Sequence, residues 1–142
     1  MIKDTYALYP LNDLLFSFHS EGVQGKILKI IIFTLQEDGK WNLAFGDWNN
    51  KKVDDKVMSN NEDVVKVIGT VAKAAYQFFD NHPEAVLEIK PVDEKRRKLY
   101  NIVFQRHFYD ITHNFQIMGL IGEQKEIYSP KKLYNSFELS VK

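Results

Sequence analysis

The fold is decided by residues 26–47, KILKIIIFTLQEDGKWNLAFGD. Residues 26–35 are rich in isoleucine and long enough for a strand in the centre of a sheet. Asp38-Gly39 is a dipeptide favoured in tight hairpin turns, and residues 41–47 then alternate aromatic and polar side chains. The stretch therefore predicts two antiparallel strands joined by a tight turn.

The preceding residues extend this hairpin. Residues 14–20 end in strand-like alternation, and Gly22 and Gly25 mark a turn before the central strand. We therefore expect an antiparallel meander at the start of the chain.

A helix is predicted after the meander, from about Asn60 to Asn81. Residues 59–62, Ser-Asn-Asn-Glu, have the spacing of a capping box, and His82-Pro83 stops the helix. Its buried stripe is predicted from apolar residues at helical spacing, which are Val64, Ile68, Val71, Ala75 and Phe78.

The remaining chain mixes strands with a second helix. Residues 84–90 and 115–121 are typical of strands, residues 122–124 of a turn, and residues 133–141 fit a short helix or an edge strand. The second helix starts at Pro91-Val92-Asp93 and ends before His113, with a face formed by Leu99, Ile102, Val103 and Arg106.

Together these elements predict an α+β fold, in which an antiparallel β-meander is followed by two helices packed on the sheet, with further strands near the C-terminus. At 142 residues, 44% of them hydrophobic, the chain fits one single domain spanning residues 1–142. It has no cysteine, no signal-peptide pattern and no apolar stretch that could cross a membrane, so we expect a cytoplasmic location without disulfides.

The charge pattern is uneven although the formal net charge is zero. Neutrality counts mildly against a dedicated nucleic-acid binder, yet residues 90–98 carry five bases and two acids. Lys95, Arg96, Arg97 and Lys98 fall at a helix start, where backbone N–H groups and guanidinium groups can hold a phosphate, with Tyr100 one turn further on. The alternative is a solvated helix face neutralised by nearby acids.

A second candidate is the acidic cluster of Asp47, Asp54 and Asp55. Gathered carboxylates bind Mg²⁺ or Mn²⁺ in phosphoryl-transfer enzymes, but aspartate is also common in turns for local hydrogen-bonding reasons. Glu62 and Asp63 lie near this cluster in sequence.

Other catalytic patterns are missing from the sequence. It contains no zinc motif, nucleophile elbow or phosphate-binding glycine loop, so we expect no catalytic residue, resident metal or cofactor. The four histidines follow no ligand spacing, and they are His19, His82, His107 and His113.

Aromatic residues on the predicted strands could stack on nucleic-acid bases, although alternating aromatics are more often core. These residues are Phe16, Phe18, Trp41, Phe45 and Trp48.

Several motifs occur together in the order of a known bacterial family. They are Asn42–Asp47, Asp54-Asp55, Ser59–Asn61, Asp63, Lys66-Val67, Thr70–Ala72 and Arg97–Tyr100. From about Tyr9 to the C-terminus the chain resembles DUF6934, a family of unknown function common in Bacteroidota. The resemblance implies a bacterial cytoplasmic protein and leaves the mechanism open. The family has a Gly-Ser-Thr turn before the arginine-bearing helix, whereas this chain has Lys90-Pro91-Val92, and Pro91 offers no N–H to a phosphate.

The sequence thus favours a non-enzymatic domain that contacts nucleic acid through the basic helix start and a sheet face. The alternatives are a protein-interaction component of a bacterial two-gene module and a metal-dependent phosphoryl-transfer enzyme.

Overall fold

The computed structural model describes residues 4–49, 52–54 and 63–142. The described residues form two compact units, an amino-terminal unit (residues 4–34, 44–49, 52–54 and 63–82) and a carboxy-terminal unit (residues 35–43 and 83–142). The α+β class predicted from the sequence is confirmed, while the single domain stays a prediction. In chain order the described elements are β1 (Tyr9–Asn12), β2 (Leu15–Gly22), β3 (Gly25–Leu35), β4 (Trp41–Asn49), β5 (Lys52–Asp54), α1 (Val64–Asn81), β6 (Leu87–Ile89), α2 (Glu94–Arg106), α3 (Phe108–Asn114), β7 (Phe115–Ile121), β8 (Gln124–Ile127) and β9 (Ser136–Val141).

The amino-terminal unit contains most of the predicted meander. Its strands pair in the order β1-β2-β3-β4, and β5 pairs with β4. The predicted hairpin turn is confirmed, because Gly39 has φ +86°, a conformation that glycine adopts readily. On the inner face Phe33 of β3 stacks on Phe78 of α1 with ring centroids 4.4 Å apart, so the isoleucine-rich strand forms the core as its composition predicts.

Helix α1 ends at Asn81 as predicted and begins at Val64, after Asp63. The predicted capping box at residues 59–62 lies outside the described residues. Ile68, Val71 and Phe78 are buried as expected, but Val64 is exposed and Ala75 is only half-buried. Their places in the core are taken by other positions of the helix, including Val67 and Ala74.

In the carboxy-terminal unit the strands pair in the order β4-β6-β9-β7-β8. Strand β6 is parallel to β4, and β9 is antiparallel to both β6 and β7. The tail is therefore a strand, but the expectation of an edge strand or short helix is wrong because β9 has neighbours on both sides. Strand β8 follows the predicted turn at residues 122–124 and was not expected.

The second predicted helix is two helices. His107 separates α2 from α3, so the expectation of two helices in the chain is corrected to three among the described residues. Of the predicted face, Leu99 and Val103 are half-buried, whereas Ile102 and Arg106 are exposed. Helix α2 instead buries Arg96, Asn101 and Phe104. Two of these are polar, and hydropathy alone assigns polar residues to the surface.

Candidate functional site

The basic cluster at the start of α2 is divided between buried and exposed side chains. Arg96 is only 5% exposed, and its Nη1 lies 2.7 Å from Oδ2 of Asp93. The other Asp93 oxygen accepts the backbone N–H of Arg96 at 2.8 Å, which caps the helix. Arg97 pairs with Glu94 at 2.9 Å. Both arginines are thus neutralised by acids of the same turn, and Asp93 occupies the helix start that was predicted to hold a phosphate.

The remaining cations of α2 face solvent. Lys95, Lys98 and Arg106 are exposed and follow one another at spacings of three and eight residues, which places them along one side of the helix. We call these three residues the α2 cationic stripe. Ile102 lies within the stripe and is exposed, and Tyr109, one residue into α3, is 86% exposed. Tyr100, the other predicted binding residue, is half-buried.

Two buried glutamates form a second cluster that sequence reasoning missed. Glu88 on β6 and Glu138 on β9 lie directly opposite each other in the antiparallel pairing. Lys40 approaches both, at 3.7 Å from Glu88 and 3.1 Å from Glu138. Lys90 adds a contact of 2.6 Å to Glu88, and Lys125 one of 3.1 Å to Glu138. The signal in the sequence was a glutamate between two apolar residues in each strand.

The pKa shifts of Glu88 and Lys40 favour the charged forms of both side chains. Burial alone raises the pKa of Glu88, but hydrogen bonds from Lys90 and Gln36 and the charges of Lys90 and Lys40 outweigh it and lower that pKa overall. The hydrogen bond to Glu138 raises the pKa of Lys40. A general acid needs a raised carboxyl pKa and a nucleophilic lysine a lowered one, so the two shifts do not favour those roles for Glu88 and Lys40. The lysines of the cluster neutralise the two glutamates, which would otherwise repel each other across β6 and β9.

The acidic cluster is only partly described. Asp47 on β4 forms a buried ion pair with Lys29 on β3, whose side chain is 3% exposed. Asp54 lies opposite Asp47 on β5, and Asp55 falls outside the described residues. Within the described ranges no group of three or more histidine, aspartate or glutamate side chains could hold a metal ion. Asp47 belongs to the amino-terminal unit and Arg97 to the carboxy-terminal unit.

Asp63 has a structural role at the start of α1. Its carboxylate accepts hydrogen bonds from the hydroxyl groups of Tyr6 and Ser20, while the Tyr6 backbone N–H donates to Oγ1 of Thr70 at 2.8 Å. Burial raises the pKa of Tyr6, and the hydrogen bond to Asp63 raises it further, so the phenol stays protonated. The contacts tie the amino-terminal segment and β2 to the first turns of α1.

Most of the predicted base-stacking residues lie in the core. Phe16, Phe18 and Phe45 are buried, Trp41 is half-buried, and Trp48 is exposed. Of the histidines, His82 stacks on Phe78 at 4.8 Å, where it ends α1. The interpretation of the alternating aromatics as core is confirmed for the three phenylalanines.

In the described part of the chain, the α+β fold holds its buried charges in ion pairs, and helix α2 presents cations without acidic partners to solvent. The chain belongs to the family of unknown function DUF6934, whose model matches residues 3–142. No curated protein and no solved structure is detectably similar to it. Among the described residues, none of the helices has both the length and the apolar character needed to cross a membrane.

Proposed function

We propose that this protein is a non-enzymatic, cytoplasmic nucleic-acid-binding domain and that the α2 cationic stripe is its contact surface. The observation that carries the proposal is the exposure of Lys95, Lys98 and Arg106 on one side of α2. Within the described parts of the chain these cations have no acidic partner, whereas Arg96 and Arg97 are neutralised locally. Cations free of acidic partners are available to phosphates.

The dimensions of the stripe fit a short run of phosphates. Lys95 and Arg106 are eleven positions apart, which corresponds to about 16 Å along the helix. Three phosphate contacts predict a slope of log affinity against log salt of about −2 on a single strand and about −2.7 on a duplex. Tyr109 offers an exposed ring on which an unpaired base can stack, so we expect single strands to be preferred.

Fluorescence anisotropy with labelled single- and double-stranded DNA and RNA between low and physiological salt tests the proposal. The double variant Lys95→Gln/Lys98→Gln should weaken binding and make the salt slope shallower, and Tyr109→Ala should weaken single-strand binding more than duplex binding. A matched control is Lys26→Gln/Lys131→Gln, which removes two exposed lysines elsewhere. Absence of binding at the lowest salt, or equal losses in test and control variants, would refute the proposal.

A protein partner is the second candidate, because Ile102 is exposed within the α2 cationic stripe and Tyr109 is exposed on the next helix. Protein interfaces are depleted in lysine and enriched in aromatic residues, so the two lysines favour nucleic acid and Tyr109 fits both. The dependence of affinity on salt concentration distinguishes the two candidates. Phosphate binding weakens steeply as salt increases, whereas the affinity of an interface centred on Ile102 and Tyr109 changes little. Co-purification with Ile102→Asp as the disrupting variant tests this candidate.

A further inference from the structure

A cavity of about 380 Å³ lies within the carboxy-terminal unit, apart from the exposed side of α2. Its walls come from Phe108 of α3, Phe115 and Ile117 of β7, and Ile127 of β8. Phe115 and Ile117 are buried, while Ile127 is 70% exposed, so the cavity has an apolar floor and an open rim. Its volume falls in the range of small-molecule sites, which are about 300–1,000 Å³.

Tyr128 also lines this cavity and supplies an unpaired polar group. Its side chain is 5% exposed and its ring packs near Phe104, Phe108 and Tyr134, with centroids 6.1, 5.8 and 5.2 Å away. Burial raises the pKa of Tyr128, so its hydroxyl is a neutral donor at physiological pH. Among the described residues this hydroxyl makes no hydrogen bond, so its proton is available to a ligand in the cavity.

The other polar groups of the lining indicate the chemistry of the missing partner. Thr112 directs its hydroxyl proton to the carbonyl oxygen of Phe108 at 2.7 Å, so that proton is already used. Gln116 and Lys142 complete the lining. The backbone N–H of Lys142 donates to the carbonyl oxygen of Asn114 at 3.0 Å, which holds this lysine beside the end of α3. The lining side chains that donate no hydrogen bond to another described residue thus offer a phenol, an amide and an ammonium group.

We propose that this cavity binds a small carboxylic acid with an aromatic or branched aliphatic body. The body packs against Phe108, Phe115, Ile117 and Ile127, and the carboxylate accepts a hydrogen bond from Tyr128 and pairs with the ammonium group of Lys142. An anionic group can accept from the hydroxyl and pair with the ammonium group, whereas a purely apolar ligand would use neither donor. The volume admits about a dozen non-hydrogen atoms at ~30 Å³ each.

Calorimetry and ligand-observed NMR with phenylpropanoate test the proposal on the full chain. Phenylpropanamide removes the charge and acetate removes the apolar body, and we expect both to bind at least about threefold more weakly. Tyr128→Phe keeps the ring and should weaken phenylpropanoate about threefold to tenfold, as should Lys142→Gln. Ile127→Trp fills the rim at an exposed position and should abolish binding without affecting folding.

Lys131→Gln is the matched control for Lys142→Gln, because Lys131 is exposed and does not line the cavity. Equal binding of phenylpropanoate and phenylpropanamide, no detectable binding of either, or affinities unchanged in the Tyr128→Phe and Ile127→Trp variants would overturn the proposal. Tighter binding of a peptide ending in phenylalanine than of phenylpropanoate would overturn the assignment to a free small acid.

Discussion

Replacing Asn101 tests how the carboxy-terminal unit fixes the segment before β9. The Asn101 side chain is 4% exposed and makes three hydrogen bonds of 2.9 Å. Its Oδ1 accepts the backbone N–H of Tyr134, and its Nδ2 donates to the carbonyl oxygens of Tyr134 and Arg97. Tyr134 is fully buried, so its backbone has little access to water. The side-chain amide of Asn101 therefore satisfies both backbone polar groups of the buried Tyr134.

Asn101→Ala leaves the N–H and the carbonyl group of Tyr134 without partners. Each unsatisfied buried group costs about 1–3 kcal/mol, and alanine regains a few tenths through its better helix propensity. We therefore expect a loss of about 3 kcal/mol in the free energy of unfolding. With a urea dependence of about 1.5–2 kcal/mol per molar, the midpoint should fall by roughly 1.5–2 M. Urea titration followed by tryptophan fluorescence measures this shift.

Asn101→Asp adds a pH dependence whose sign the geometry sets. An ionised aspartate still accepts from the Tyr134 N–H but points its second oxygen at two carbonyl oxygens. Its folded-state pKa should therefore lie above its unfolded value. The folded state then binds more protons than the unfolded state between the two pKa values, so stability rises as pH falls through the folded pKa. Relative to wild type, the variant should recover stability at acidic pH.

The control is Asn81→Ala, because Asn81 also donates to the carbonyl oxygen four residues earlier, at 3.3 Å, but is exposed. The decrease in the free energy of unfolding for Asn81→Ala should stay below about 0.5 kcal/mol. A loss below about 1 kcal/mol for Asn101→Ala would contradict the reasoning. A difference in unfolding free energy between Asn101→Asp and wild type that stays the same from neutral to acidic pH would also contradict it.

Three further predictions concern packing and charge. Gly119→Ala would place a Cβ atom 2.3 Å from ring carbons of Tyr134, so we expect a loss of about 2–3 kcal/mol in thermal unfolding, and an unchanged melting temperature would contradict the packing. Lys29→Met should cost about 3–5 kcal/mol by removing the buried cation that pairs with Asp47, and Lys29→Met/Asp47→Leu should recover most of this loss in urea titrations. A double variant no more stable than the single one would refute this. Because the pKa of Glu88 is lowered, its stabilising contribution is present above the ordinary carboxyl pKa and lost as pH falls. The advantage of wild type over Glu88→Gln should therefore shrink on acidification, and a constant difference would count against the ion network.

Local signals in the sequence predicted the elements that depend on neighbouring residues. Asp38-Gly39 formed its turn, and Asp93 caps α2 through a contact three residues away. The break between α2 and α3 also lies within one short segment, but the sequence around His107 contains no proline or glycine that would indicate a helix end. Its position could not be predicted from the pattern.

Non-local pairing explains the errors in the tail and on α2. Strand β9 is an interior strand only because β6 and β7 lie on its two sides, and no local pattern encodes that arrangement. Asn101 is buried because its amide matches the backbone of Tyr134, so polarity alone was misleading.

The candidate surface was predictable in part. The basic cluster was recognised, and Asp93 and Glu94 had the spacing to neutralise Arg96 and Arg97. The burial of Arg96 needed the helix orientation, and the cavity beside Tyr128 needed the meeting of α3, β7 and β8. The spacing of residues along the sequence does not show which distant segments contact one another in the fold.

The opposed glutamates have a consequence for strand alignment. Strand β6 has only three residues, so its hydrogen bonds alone fix the alignment with β9 weakly. A slip of one residue would turn Glu138 towards the side where Phe137 stacks on Phe104, 4.3 Å between centroids, and would leave its carboxylate without Lys40 and Lys125. The lysines thus make the correct register the one in which both carboxylates are neutralised. The ion pairs thus favour one alignment of β6 with β9, independently of their contribution to the free energy of unfolding.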